Sequence, residues 1–372
     1  MTSREKQILH WIKENPMISQ EELAQKANIA RSSVAVHISN LMKKGQIAGK
    51  GYIVKDDLYA VVVGGVNIDI CGQSFSPLIA RDSNPGFTRM SLGGVGRNIA
   101  HNLALLEVEV SLLTALGDDS NARLVEDSCS ALGIDIRRAL RVPGGRTSTY
   151  LFLNGPDGDM ALAVSDMKIC ESITPAYLEK NTVTLNHAKA VVIDTNIPEE
   201  SIRWLTEKCE SPVFADPVSV AKAEKLKPYL GRIHTLKPNR LEAEYLSGVK
   251  IQNESDLRRA ARILLDTGLE RVFISMGSDG VFFADHNRMD QVPVYEAQMR
   301  NATGAGDAFM AGLVWSYLQG AGLEDAAWLS SAASAIAIEG KETINPEMSV
   351  KALLEKAKER VSGEFLADCD IW

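Results

Sequence analysis

The sequence predicts an α/β protein: a doubly wound, mostly parallel sheet flanked by helices, with a small β lid and an N-terminal winged helix-turn-helix. Three observations predict it. After Leu58, short continuous apolar runs alternate with amphipathic helical stretches, as expected for parallel strands buried on both faces. Two segments, about 72–92 and 146–165, break that alternation and read as a small separate sheet. The first 55 residues have another texture, three short helices followed by a glycine-centred hairpin.

The N-terminal elements follow from their spacing. Ile8, Leu9 and Ile12 lie at helical intervals in "SREKQILHWIKE", and Asn15-Pro16 stops that helix. Ser19 caps a second helix, with Glu22 three residues on as a capping box. After the Asn28-Ile29 turn, "RSSVAVHISNLMKKG" is a third helix with Val34, Ile38 and Leu41 inward and Gly45 as its stop. "QIAGKGYIV" reads as the wing, a hairpin around Gly49-Lys50-Gly51. The competing reading is a helical cap that only mediates assembly.

From Leu58 onward, "LYAVVVGGVNIDI" reads as the first buried strand. "VEVSLLTAL", "AKAVVIDTN", "SPVFAD", "RIHTLK" and "ERVFISMG" supply further strands, with helices such as 198–209 and 254–267 between them. The lid hairpin turns at Pro156-Asp157-Gly158. The expected domains are therefore 1–56 and 57–372. A chain of 372 residues has room for them at roughly 100–200 residues per domain.

Charge supports the division. The net charge is −8, yet residues 1–55 carry +5, which leaves −13 on the rest. A basic module attached to an acidic body suits a nucleic-acid partner for the module alone. The five cysteines form no CxxC, and reduced thiols in a cytoplasmic protein are the expectation. The histidines show no zinc-ligand spacing, and no apolar run approaches the ~18 residues of a membrane span. No membrane partner is expected.

Five stretches carry candidate chemistry. Asn67 and Asp69, placed at the end of the first strand, project to one side, where a carboxylate can grip neighbouring hydroxyls. "GGVGRNIAHNLALL" sets Gly93, Gly94 and Asn98 at a helix start, though a close-packed turn explains the glycines equally well. It is no dinucleotide fingerprint, because Ile99 stands at the third glycine position. In "TLKPNRLEAEYLSG", Asn239 and Glu242 share a helix face, suited to a hydrated Mg²⁺ or merely to a helix start. "SMGSDG" contributes Ser275, Gly277, Ser278 and Gly280 to an adenosine cradle or a plain turn. "NATGAGDAFMAGL" places Gly304, Ala305, Gly306 and Asp307 at a helix start, an anion site with a base beside it.

In this order these stretches resemble the ribokinase-like, or PfkB, family of carbohydrate and nucleoside kinases, over roughly 58–350. The carriers are "GGVGRN", "NRLE" and "TGAGDAF". Within the family, the stretches around "DSNPG", "FADPVS" and "MGSDGV" are most similar to members that act on pseudouridine. The first 55 residues resemble the winged helices of bacterial transcription regulators.

The resemblance implies a set of roles. Residues 304–306 become an anion hole for the transferred phosphoryl group, and Asp307 the base for a 5′-hydroxyl. Asn67, Asp69 and Asn98 would grip the ribose, with Gly93 and Gly94 beside it. Asn84, Thr149 and Asp166 of the lid are nominated for the base. Asn239 and Glu242 would organise Mg²⁺, through water, with ATP. The lid would exclude water and pair two subunits into a homodimer. The DNA-binding expectation places Arg31, Ser32 and Ser33 at base edges and Lys43, Lys44 and Lys50 near phosphates. Two positions depart from ribokinase-type members. Val95 replaces a sugar-contacting Lys, which favours a base-bearing substrate. Asn301 replaces an Asp of a monovalent-cation site, which puts potassium activation in question.

Overall fold

The structure is a computed structural model and describes residues 1–15, 18–44, 46–47 and 59–368. The chain divides into two compact units, Met1–Asp57 and Leu58–Trp372. The smaller holds helices α1 (Ser3–Glu14), α2 (Gln20–Ala27) and α3 (Arg31–Lys43). Capping boxes open α1 at Thr2/Glu5 and α2 at Ser19/Glu22. Asn28 makes the tight turn in the left-handed region (φ 51°), which Asn tolerates better than most residues. Ile8, Ile12, Leu23, Val34, Ile38 and Leu41 form its core. Of the expected wing, only Gln46 and Ile47 are described, and the rest, with Lys50, lies outside the described residues.

The larger unit is built on twelve main strands. They are β1 (Tyr59–Val63), β2 (Asn67–Ser74), β3 (Gly86–Gly93), β4 (Glu109–Leu113), β5 (Thr149–Asn154) and β6 (Met160–Asp166). They continue as β7 (Ala190–Asp194), β8 (Val213–Asp216), β9 (Thr235–Leu236), β10 (Arg271–Ser275), β11 (Val281–Asp285) and β12 (Met289–Val292). The main sheet runs β12-β11-β10-β9-β8-β7-β1-β4. It is parallel from β4 to β10, with β11 and β12 antiparallel at one edge. Strand residues alternate between two cores: Ala60 and Val62 pack with Ile99 and Trp315, while Val61 and Val63 pack with Leu205 and Leu264. Both faces are thus covered by helices, which is why β1 is apolar throughout.

The lid is a second sheet, ordered β3-β2-β5-β6. Here the structure corrects the expected first strand. The run 58–70 is not one strand. It stops at Val63, turns through Gly64-Gly65-Val66, and re-emerges as the lid strand β2. Asn67 and Asp69 therefore open the lid rather than close the main sheet. The lid hairpin turns where expected, with the Gly158 N–H donating to Gly155 O.

Candidate active site

The site forms where the carboxyl ends of β1, β7, β8 and β9 meet the starts of two helices, α4 (Val95–Leu105) and α7 (Ala305–Leu318). Between them in the chain lie α5 (Ser120–Ala131) and α6 (Arg240–Ser247). Neither α4 nor α7 has a side-chain cap. At α4 the Gly96 N–H goes to Asp194 and the Arg97 N–H to Gly65 O, so of the two helix starts that of α7 is the one suited to an anion. Gly304 precedes α7 at φ 85°, and a Cβ there would strike Thr343 O. Only glycine fits that corner.

Asp307 lies in the first turn of α7, and Asn98 Nδ2 donates to its Oδ2 at 2.8 Å. Burial pushes the Asp307 carboxyl up to about 7, and the charge of Asp216 adds to the rise, while Asn98 and Lys237 oppose it. A carboxylate poised near neutrality suits a general base. Asn98, expected at the ribose, here gives its amide to the Asp307 carboxylate.

Three further residues complete the site, none singled out from the sequence. Lys237 Nζ pairs with Asp216 Oδ2 at 3.0 Å, and both are buried. Burial alone would lower the Lys237 pKa, but Asp216 outweighs it and the group stays a cation. Its ammonium reaches the mouth of the 304–306 turn, 3.2 Å from where a Gly306 Cβ would stand. Asp194 Oδ2 accepts from the N–H groups of Gly65 and Gly96, at 2.8 and 2.9 Å, and clamps the two glycine turns together. Asp194 and Asp216 end their strands and Lys237 follows β9, so the strand-end rule alone would have found them. Beyond Asp216, Val218 holds φ 62°. For a β-branched residue that is strain, stored next to the site.

The other expected residues separate into groups. Asn67 donates through Nδ2 to Asp69 Oδ1, and burial raises the Asp69 pKa. A Cβ on Gly94 would collide with Gly65 O and Val66 Cα, and one on Gly93 with the Asp69 carboxylate. The close packing of protein on protein explains these glycines, so no sugar is needed to account for them. Asn239 and Glu242 form a reciprocal cap on α6, at 2.8 and 3.0 Å. Burial raises the Glu242 pKa. Asn239 also bridges to Ser275, which joins this cap to the Gly277–Gly280 turn. Gly277 and Ser278 are exposed there, while Gly280 packs under Val292 O.

Among the described residues, no group of three His, Cys, Asp or Glu side chains is placed to hold a metal. Glu242 caps α6 and Asp216 pairs with Lys237, so a Mg²⁺ beside them would be held chiefly by water and phosphate oxygens. No helix among the described residues is long and apolar enough to cross a membrane.

Three lid residues and one lysine need correcting. Thr149 pairs with Asp166 and Ile68 in register, so all three share a face. Asp69 pairs with Tyr150 and Ser91, on the opposite face. Thr149 and Asp166 therefore point away from the side that carries Asp69. Asn84 spends its amide on Ile79 and Asp82 within its own loop. In the N-terminal unit Arg31, Ser32, Ser33 and Lys43 are exposed. Lys44, however, is bound to buried Glu5 at 2.9 Å, and this contact holds the Glu5 carboxyl down at about 2. Asn301 accepts from the Thr303 N–H and donates to Lys341 O.

Comparison with known proteins agrees with this geometry. The family model "pfkB family carbohydrate kinase" matches residues 57–350, and "Winged helix-turn-helix DNA-binding" matches 1–48. YeiI of Escherichia coli (strain K12), described as an uncharacterized sugar kinase, is 39% identical over 351 residues, 94% of this chain and 97% of that protein. The pseudouridine kinase of the same organism is 39% identical over 306 residues, 81% of this chain and 97% of that one. A carbohydrate kinase from Agrobacterium tumefaciens superposes with a TM-score of 0.71 at 27% identity, covering 82% of this chain and 97% of its own. The chain belongs to the PfkB family of carbohydrate kinases, phosphotransferases that act on a hydroxyl, and carries a winged helix-turn-helix domain at its N-terminus.

Proposed function

We propose that the chain transfers the γ-phosphoryl group of ATP to the 5′-hydroxyl of a ribosyl nucleoside, pseudouridine foremost, in the cytoplasm. The observation that carries the transfer is Asp307, held by Asn98 with a pKa near 7 at an uncapped helix start. Asp307 takes the hydroxyl proton. The N–H groups of 304–306 and Lys237 stabilise charge on the phosphoryl oxygens. Asn67 and Asp69 grip the ribose. Asn239, Glu242 and Ser275, with the Gly277 turn, form the ATP side, where Mg²⁺ would neutralise phosphate charge.

The nucleoside rests on the identity with pseudouridine kinase and on Val95, which packs against the core instead of offering a cation to a free sugar. The equal identity with YeiI makes a sugar the competing acceptor. An ADP-release assay with pseudouridine, uridine, other nucleosides, ribose and fructose separates them. Faster turnover of ribose or fructose overturns the nucleoside reading.

The lid supports a homodimer. Its face opposite Asp69 exposes Met90, Leu151, Leu162 and Val164, an apolar patch suited to a second copy. Sedimentation should give twice the chain mass, and Leu162→Lys with Val164→Lys should give the monomer. A wild-type monomer defeats this.

For residues 1–56 we propose duplex DNA, read by the start of α3. Arg31→Ala or Lys43→Ala should each flatten the slope of log K against log salt by about 0.9. Lys44→Ala should instead unfold the unit more readily, since it strips Glu5 of its partner. A chain lacking residues 1–55 should keep its kinase activity and lose DNA from upstream of its own gene. If the full chain shows no salt-sensitive DNA binding and truncation changes only the mass of the assembly, the module is an assembly cap.

A further inference from the structure

We infer that Arg97 is a positioning residue: its buried guanidinium fixes which end of the Asn98 amide faces Asp307, and ties that contact to the lid strand β3. The inference rests on the reading of Asp307 as the base.

Arg97 is 4% exposed, yet among the described residues no carboxylate hydrogen-bonds to it. Nη1 donates to Leu92 O at 3.3 Å and to Asn98 Oδ1 at 3.4 Å, Nη2 donates to Ser128 Oγ at 3.1 Å, and Nε has no partner. Burying a guanidinium whose hydrogen-bond partners are all neutral is costly, even with Asp69 nearby. A core position filled for packing alone would be served by Leu or Met at no such cost.

The amide beside it accounts for the cation. The two ends of an Asn side chain are nearly the same size, so sterics do not choose between them. An ionised carboxylate only accepts, and a guanidinium only donates. With Arg97 on Oδ1, the Nδ2 end is left for Asp307, as observed at 2.8 Å. Reversed, the amide would set its oxygen against the carboxylate and repel it. The backbone of Asn98 is fixed as well, since Asn102 Nδ2 donates to its carbonyl.

The Leu92 contact extends the arrangement into the lid. Leu92 pairs with Ile68, next to the Asp69–Ser91 pair. One guanidinium thus touches the strand paired to the ribose-gripping strand and the amide that holds the base. The charged or titratable groups around Arg97 are Asp69 on β2, His101 on α4 and Cys129 on α5. Those around Asp307 are Asp216 on β8, Lys237 after β9 and Asp194 on β7.

The test uses the full chain as wild type, Arg97→Met, Asn98→Ala and the double variant. Two readouts are taken: the ¹³C-carboxyl NMR titration of Asp307, and kcat and KM across pH. Arg97→Met should move the Asp307 titration upward by about half a unit or more and lower kcat about tenfold, with less change in the KM for ATP. In the Asn98→Ala background it should add no further shift, because its effect passes through that amide. An unmoved titration with a lowered melting temperature makes Arg97 a structural pin and overturns the inference. So does a shift that persists without Asn98. Should Arg97→Met fail to fold, Arg97→Lys keeps the charge but cannot serve Leu92, Asn98 and Ser128 at once. An upward shift there supports the inference, and none overturns it. The NMR titration needs no substrate. A wild type that phosphorylates nothing therefore defeats the kinase reading and leaves this test standing.

Discussion

Asp307→Asn is expected to lower kcat by about 10²-fold or more while the fold and ATP binding persist. The amide keeps the shape and loses the base. The pH dependence has a definite sign. Burial and Asp216 raise the carboxyl from 3.8 to about 7, so the active, ionised form fills as pH rises. In the wild type, kcat/KM should climb through pH 7 and level above it. Stability runs the other way. The native state binds this proton more tightly than the unfolded chain does. The resulting stabilisation is complete below the unfolded pKa and is lost as pH rises through about 7. The Asn variant mimics the protonated group at every pH. At pH 8 it should melt at or above the wild-type temperature. A variant with near wild-type kcat would remove Asp307 from the role of base.

Much of this site was legible because its parts obey local rules. The capping box at Ser19, the two-faced alternation of β1 and the glycine start of α7 each follow from a few adjacent residues. What escaped depends on distant partners. The run 58–70 carries a turn signal at Gly64-Gly65, but its continuous apolar character hides the break. The turn is clamped by Asp194, 129 residues away from Gly65. Thr149 and Asp166 were nominated without their strand register, and register decides which face a residue occupies. Lys44 looked like a phosphate contact until the fold brought Glu5 beneath it. Lys237 and Asp216 lay inside quoted motifs, but only the sheet order sets them side by side.

The enzyme is expected to prefer pseudouridine over uridine by up to roughly 10⁴ in kcat/KM. The two nucleosides share the ribose and the ring carbonyls. They differ in the glycosidic link, which is to carbon in pseudouridine and leaves a ring N–H that uridine lacks. An acceptor buried to meet that N–H is stranded when uridine binds, and a stranded buried acceptor is costly. Thr149 and Asp166 lie on the other face from Asp69, and Asn84 uses its amide in its own loop, which disfavours all three as that acceptor. Among the described residues, a half-buried polar candidate at the Gly64-Gly65 turn that leads into β2 is Asn196. Its Nδ2 is 3.0 Å from where a Cβ on Gly65 would stand, and its Oδ1 receives Lys222 Nζ at 2.5 Å. Oδ1 has a second lone pair to offer. Asn196→Ala should therefore cost pseudouridine far more than uridine and narrow the ratio, whereas Thr149→Val should leave it unchanged. Both are read from initial rates in the ADP-release assay, with each nucleoside varied below its KM. Equal kcat/KM for the two nucleosides in the wild type would sink the pseudouridine assignment. A wide ratio that Asn196→Ala does not narrow would keep the substrate and move the acceptor elsewhere.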